Sequence, residues 1–284
     1  GVGPVRPDGY HELTTVYHAL SLYDEVTARR GDQLTLTMEG EGAGALPLDD
    51  SNLALRAARA LAEHAGVAAH ARLHLRKQIP LAAGLAGGSA DAAATLVACD
   101  ALWGTGLSRD ELAQLAATLG SDVPFLVLGG TALGTGRGES VSPVLARGNS
   151  WHWVLALADG GLSTPEVYAR LDRLREDAAA ASPLGVPDDL LAALRQRDPE
   201  VLAGCLGNDL EAAAVAIRPA LRDTLAAGHA AGAFAGLVCG SGPTCAFLTR
   251  DAPHAAAVAE ALAGSGTCRT ALPVVGPVPG ARIA

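Results

Sequence analysis

The run Pro80-Leu-Ala-Ala-Gly-Leu-Ala-Gly-Gly-Ser-Ala-Asp constrains this chain more than any other stretch. It follows Arg72-Leu-His-Leu-Arg-Lys, whose period-two alternation reads as a half-buried strand, and precedes an alanine-rich segment expected to be helical from about Asp91 to Trp103. A strand that turns through small residues into a helix start leaves free N–H groups and a favourable dipole, and glycine lets the backbone approach a ligand or take positive φ. Such a loop suits an anion such as a polyphosphate, with Ser89 in reach of a phosphate or a metal. A merely tight strand-to-helix turn is the alternative. The G-x-G-x-x-G spacing of a dinucleotide fingerprint is missing, and no Lys follows as in a Walker loop. Lys77 is the single lysine of the chain, which leaves no phosphate-loop or Schiff-base lysine elsewhere.

Around this loop the pattern is that of an α+β protein. Gln33 to Met38 alternates like a strand, and Leu53 to Ala65 reads as a helix capped by Ser51 and closed by Gly66. A helix from Ser108 or Arg109 to near Gly120 follows, then a buried segment from Val123. Residues 141–149 lack periodicity and form the candidate domain boundary. Beyond it come a strand from Trp151, a helical stretch Tyr168 to Asp177, a loop Ala178 to Asp189, helices Leu190 to Arg197 and Leu210 to Gly228, two strands flanking Gly240-Ser-Gly-Pro, and a helix Pro253 to Ala263. Helices mixed with hairpins favour α+β over a doubly wound sheet.

With 49% hydrophobic residues in 284, the chain can bury a full core in one large or two modest domains. A net charge of −9 disfavours a nucleic-acid partner. The five cysteines, with no C-x-x-C pair, read as free and mostly buried thiols in a reducing compartment, and no residue pattern implies a protein-held metal. Ala230 to Thr249 is uncharged and of membrane-spanning length, but its glycines and Pro243 divide it into buried elements. The opening Gly1-Val-Gly-Pro-Val-Arg-Pro-Asp-Gly is not a signal peptide and looks like the middle of something.

Three further sites carry chemistry. Asp122, in Leu119-Gly-Ser-Asp-Val-Pro-Phe, is either a helix cap, alone or with Ser121, or a carboxylate that accepts a proton from a substrate hydroxyl. Val238-Cys-Gly-Ser-Gly-Pro-Thr-Cys is a glycine hairpin that fails the nucleophile-elbow pattern. Tyr10 and His11, beside a turn, suit stacking on a base and bonding its edge, or plain packing.

Pro80 to Ala90, Gly120-Ser-Asp-Val-Pro-Phe and Gly240-Ser-Gly-Pro-Thr, in that order and separation, resemble the GHMP kinase superfamily. Asp8-Gly-Tyr-His-Glu-Leu narrows the resemblance to its branch acting on a cytidine-diphosphate-linked methylerythritol in the non-mevalonate isoprenoid pathway, and the likeness spans essentially the whole chain. It implies two domains, 1–149 binding ATP and 150–284 completing the kinase, with the active cleft between them. It also implies transfer of a phosphoryl group from ATP, with Mg2+, to a tertiary hydroxyl of the acceptor, in the bacterial cytoplasm and with no membrane partner.

Residue by residue, Asp122 matches the catalytic aspartate. Pro80, Leu81, Ala82, Ala83, Gly84, Leu85, Ala86, Gly87, Gly88, Ser89 and Ala90 match the ATP-phosphate loop, with Ala86 in place of a family glycine. Tyr10 and His11 match the cytosine-recognition pair. Tyr168, with Thr164 in Ser163-Thr-Pro-Glu-Val-Tyr, falls where the family places a second aromatic against the base. Gly240, Ser241 and Gly242 match the motif closing over phosphates and substrate. The family's N-terminal Pro-x-Lys-x-Asn-Leu motif has no counterpart, since Gly1 falls just after it, and Lys77 does not match its lysine. Either a natural start lies upstream or the sequence as it stands is inactive. The rival expectations are a GHMP kinase for mevalonate, homoserine or a sugar, and a non-catalytic nucleotide-binding protein.

Overall fold

The computed structural model describes residues 1–144, 150–178, 185 and 188–284. In chain order the strands are β1 (Val2–Val5), β2 (His11–His18), β3 (Glu25–Arg29), β4 (Thr35–Gly40), β5 (Arg72–Lys77), β6 (Thr131–Gly136), β7 (Ser140–Pro143), β8 (Trp151–Leu157), β9 (Ala235–Val238), β10 (Cys245–Thr249) and β11 (Thr270–Gly276). The helices are α1 (Leu53–Ala65), α2 (Gly87–Trp103), α3 (Arg109–Ala116), α4 (Val123–Leu128), α5 (Thr164–Ala178), α6 (Asp188–Arg195), α7 (Pro199–Ala203), α8 (Glu211–Ile217), α9 (Ala220–Ala230) and α10 (Ala252–Ser265).

Among the described residues the strands form three sheets, ordered β1-β2-β6-β7, β3-β5-β4 and β11-β8-β10-β9. The first and third are antiparallel throughout, whereas β4 runs parallel to β5. α1 and α2 cover the β3-β5-β4 sheet, burying Leu55, Leu61, Leu73, Leu75 and Leu96 together with Val123 and Val127 of α4. The third sheet is covered on both faces. Val154 and Ala156 pack with α5, α8, α9 and α10, while Trp153, Leu155 and Leu157 pack with α6 and α7. This double burial is why Trp153 to Leu157 of β8 form an unbroken apolar run.

The chain closes on itself at α4. After β11, Gly130 N–H donates to Val278 O (2.8 Å) and Ala281 N–H to Leu126 O (2.8 Å). Arg109 donates to the carbonyls of Val127 and Ala281, so the C-terminal segment and α3 both grip the helix that begins beside Asp122. A Cβ on Gly129 would stand 1.9 Å from Gly280 N, which makes glycine obligatory where the two backbones cross.

The structure revises several local expectations. Asn52, not Ser51, caps α1 by accepting from Ala54 N–H, while the Ser51 hydroxyl donates to Asp49. α2 begins at Gly87 rather than Asp91, so the glycine-rich run supplies the first helical turn. The segment expected as one helix from Leu210 to Gly228 is two, α8 and α9, because the Pro219 ring cannot continue the hydrogen-bond ladder. His11 opens β2 directly after the turn, and α7, β11 and the β1-β2-β6-β7 sheet had no sequence expectation. Most of the expected boundary, 145–149, and most of the expected loop, 179–184 and 186–187, lie outside the described residues.

Phe247 is fully buried on β10, facing Gly236 of β9 and Gly228 of α9, where added Cβ atoms would come within 2.6 and 2.0 Å of its ring. Gly228→Ala is therefore expected to lower stability by about 1–3 kcal/mol through overpacking, outweighing the roughly 1 kcal/mol that helix propensity would add. A melting temperature raised by the substitution would show that the ring is not so confined.

Candidate active site

The glycine-rich loop is held from beneath by charge. Lys77 ends β5 with its ammonium fully buried, donating to Asp24 Oδ2 (2.6 Å) and to Asp91 Oδ2 (2.7 Å). The other Asp24 oxygen accepts from Gln78 N–H (2.6 Å) and Ile79 N–H (2.9 Å), which fixes the entry to Pro80. Burial raises the Asp91 carboxyl above its ordinary range against the pull of Lys77. The loop then bends through Ala82 (φ 48°), Gly84 (φ 75°) and Ala86 (φ 52°), strain that two alanines tolerate only because the surroundings fix them. The N–H groups of Gly87, Gly88 and Ser89 precede the first helical bond, from Ala90 N–H to Ala86 O, and are available to an anion at the positive end of α2.

From above, the loop meets Gly240-Ser-Gly without side chains between them. Thr244 N–H donates to Ala83 O (3.2 Å), Leu162 N–H donates to Ala82 O (3.3 Å), and a Cβ on Gly84 would lie 2.2 Å from Cys239 O. Asn208 Nδ2 holds the turn by donating to Val238 O (2.8 Å) and Gly240 O (2.7 Å). Ser241 Oγ and Thr164 Oγ1 lie 2.9 Å apart, tying this turn to the start of α5. Burial pushes the neighbouring Cys239 thiol up to about 12, so it is no nucleophile.

Asp122 occupies the N-cap position of α4, but its side chain makes no capping bond. Its Oδ1 instead accepts from the Tyr17 hydroxyl at 3.0 Å. Burial raises the Asp122 carboxyl and the Tyr17 bond opposes that rise. Burial, followed by the charge of Asp122, pushes the Tyr168 phenol up to about 12.

Tyr168 also packs on His11, with ring centroids 4.9 Å apart at 34°, and His11 Nε2 lies 2.9 Å from Asp172 Oδ1. Tyr10 is 55% exposed, with the Arg137 guanidinium 5.0 Å from its ring centroid. Thus the structure joins Tyr168 to His11, Thr164 to Ser241, and the loop to Gly240–Gly242, while Tyr10 stays apart from Tyr168. Tyr17, Asp172, Arg137 and Asn208 are additions that sequence reasoning missed. The alternation from His11 to Tyr17, once read as a strand, would have put Tyr17 on the face of His11. Among the described residues no group of three or more His, Cys, Asp or Glu side chains stands together as a metal site, and no helix is long and apolar enough to cross a membrane.

Comparison with known proteins gives matches over both halves. The GHMP kinases N terminal domain matches residues 52–130, and the GHMP kinases C terminal domain matches 190–267. A 4-diphosphocytidyl-2-C-methyl-D-erythritol kinase of Salinispora arenicola (strain CNS-205) is 73% identical over 283 residues, covering 100% of this chain and 90% of the relative. The protein of the same name from Mycolicibacterium smegmatis (strain ATCC 700084 / mc(2)155) is 56% identical over 99% of this chain and 88% of its own length. A crystal structure of 4-(cytidine 5'-diphospho)-2C-methyl-D-erythritol kinase superposes with a TM-score of 0.78 at 33% identity, covering 98% of this chain and 94% of that one.

Removing the ammonium between Asp24 and Asp91 leaves two buried carboxylates without their cation. Lys77→Met is expected to cost about 3–5 kcal/mol in urea unfolding, and a second change, Asp91→Asn, to recover part of that loss. Unchanged stability in Lys77→Met would show that the ion triad does not hold the loop.

Proposed function

This chain belongs to the GHMP kinase family, and we propose that it transfers the γ-phosphoryl group of ATP to the 2-hydroxyl of 4-diphosphocytidyl-2-C-methyl-D-erythritol, a step of the non-mevalonate isoprenoid pathway. The observation that carries this reading is an unbroken path of contacts. It runs from the glycine loop through Gly240–Gly242, Ser241 and Thr164 to α5, whose Tyr168 packs on His11, and from His11 along β2 to Tyr17, whose hydroxyl bonds Asp122. An elongated substrate with a base at one end and a hydroxyl at the other fits such a path.

The roles follow from chemistry. The triphosphate lies on Pro80–Ala90, its oxygens taken by the N–H groups of Gly87, Gly88 and Ser89 at the helix start. Ser89 is the loop residue whose hydroxyl would hold a Mg2+ ion bound with the nucleotide, and that ion would supply neutralisation of phosphate charge. Asp122 orients the acceptor hydroxyl and takes its proton. His11 and Tyr168, with Tyr10 closing from the exposed side, recognise cytosine, and Ser241 with Thr164 lines the phosphates. Residues 1–149 and 150–284 serve as the two domains. The setting is the bacterial cytoplasm, where free thiols stay reduced.

Asp122→Asn is expected to lower kcat by about 10²–10⁴-fold while calorimetric ATP binding stays near wild type. Turnover within a few-fold of wild type would return Asp122 to a structural role. Gly88→Val tests the loop cleanly, since a Cβ there meets only Leu53 Cδ1 at 3.6 Å. The folded variant should lose ATP affinity. If it binds ATP as wild type does, the loop is only a turn.

Tyr168→Ala should raise KM for the cytidyl substrate about tenfold and leave KM for ATP nearly unchanged. Equal effects on both substrates, or no inhibition of wild type by CDP, would favour a different GHMP acceptor.

A further inference from the structure

We propose that Tyr17 is a positioning residue for the phosphoryl transfer: its hydroxyl holds Asp122 by Oδ1 and turns Oδ2 to the acceptor hydroxyl. The inference rests on the reading of Asp122 as proton acceptor.

The tyrosine ring sits in a slot built for it. Phe125 lies against one face, with centroids 4.9 Å apart and planes at 21°, and it belongs to the same short helix that Asp122 begins. On β6, a Cβ at Gly134 would come 2.5 Å from Tyr17 Cε2, and in the following turn a Cβ at Gly138 would come 2.3 Å from its hydroxyl oxygen. Those two glycines leave the space that the ring and hydroxyl fill. A phenylalanine would fill the slot and stack on Phe125 equally well. What the tyrosine adds is one O–H, and that O–H ends 3.0 Å from Asp122 Oδ1.

The added bond answers a specific difficulty. A carboxyl withdrawn from water favours its protonated form, which cannot accept another proton, and a donor bonded to the ionised form opposes that effect in part. Tyr17 is itself kept as a phenol by burial and by the charge of Asp122; Tyr168 of α5 and Glu139 beside β7 are the other titratable groups that face this pair. In the transfer, the acceptor O–H proton passes to Asp122 Oδ2 and the acceptor oxygen bonds to the γ-phosphorus. The bond from that phosphorus to the β,γ-bridging oxygen breaks with its electron pair leaving on ADP. Tyr17 gains and loses nothing.

Tyr17→Phe and Asp122→Asn, each in the full-length protein, test this by kcat and KM across pH and by a 13C titration of the Asp122 carboxyl, identified by its absence in Asp122→Asn. Because the lost bond favoured the ionised carboxylate, the acid limb of kcat in Tyr17→Phe should move to higher pH by about one unit, and the carboxyl resonance should titrate higher by the same amount. Both KM values should stay within about twofold, and the rate should approach wild type at the alkaline end. A Tyr17→Phe profile and carboxyl titration that superimpose on wild type, with Asp122→Asn inactive, would overturn the role of Tyr17 alone. Asp122→Asn turning over within a few-fold of wild type would overturn the proton-acceptor reading and this inference with it.

Discussion

The Asp24–Lys77–Asp91 triad fixes the frame in which the rest of the site is built. One ammonium, donating at 2.6 and 2.7 Å, ties the end of β5 to the chain before β3 and to the first turns of α2. Its position between two buried carboxylates is favourable only while all three charges face one another, so the strand end, the helix start and the loop between them keep one geometry. Asp24 extends that hold to two loop N–H groups. The loop beyond can then bear left-handed alanines and leave its helix-start donors unpaired, because nothing about its anchorage depends on a ligand.

A second constraint is the close backbone approach between this loop and Gly240–Gly242. Where Gly84 faces Cys239 O, no side chain intervenes, and the Ala83–Thr244 and Ala82–Leu162 bonds stitch the two segments directly. The segments come from distant parts of the chain, and their junction leads through Ser241 and Thr164 into α5, which carries Tyr168. Meanwhile the C-terminal segment crosses back to grip the far end of α4, the helix that Asp122 precedes. The free N–H groups at the start of α2 and the buried Asp122 carboxylate are thus positioned from both halves of the chain, so a change in either half disturbs both.

Much of this protein was legible from its residues. Period-two alternation placed β4 and β5, and small residues between a strand and a helix marked the turn that opens α2. These are local signals, set by backbone sterics and helix-end chemistry within a few residues. Local signals also misled. Ser51 is as good a cap as Asn52 by type, and only the Asp49 side chain, which takes the serine hydroxyl, decides between them.

What tertiary structure alone decided are the partners. Asp122 by its local setting reads first as a helix cap, and it is the arrival of Tyr17 from β2, 105 residues away, that engages its carboxylate instead. Lys77 carried no assigned partner in the sequence, and the fold encloses it between Asp24 and Asp91, while His11 meets Tyr168 and Asp172 because α5 packs against the first sheet. The sequence by itself determined which residues can bind phosphate or accept a proton, because that capacity belongs to the residue type and its neighbours. Which of them meet was decided by packing between distant segments, whose contacts leave no period or spacing to read in the chain.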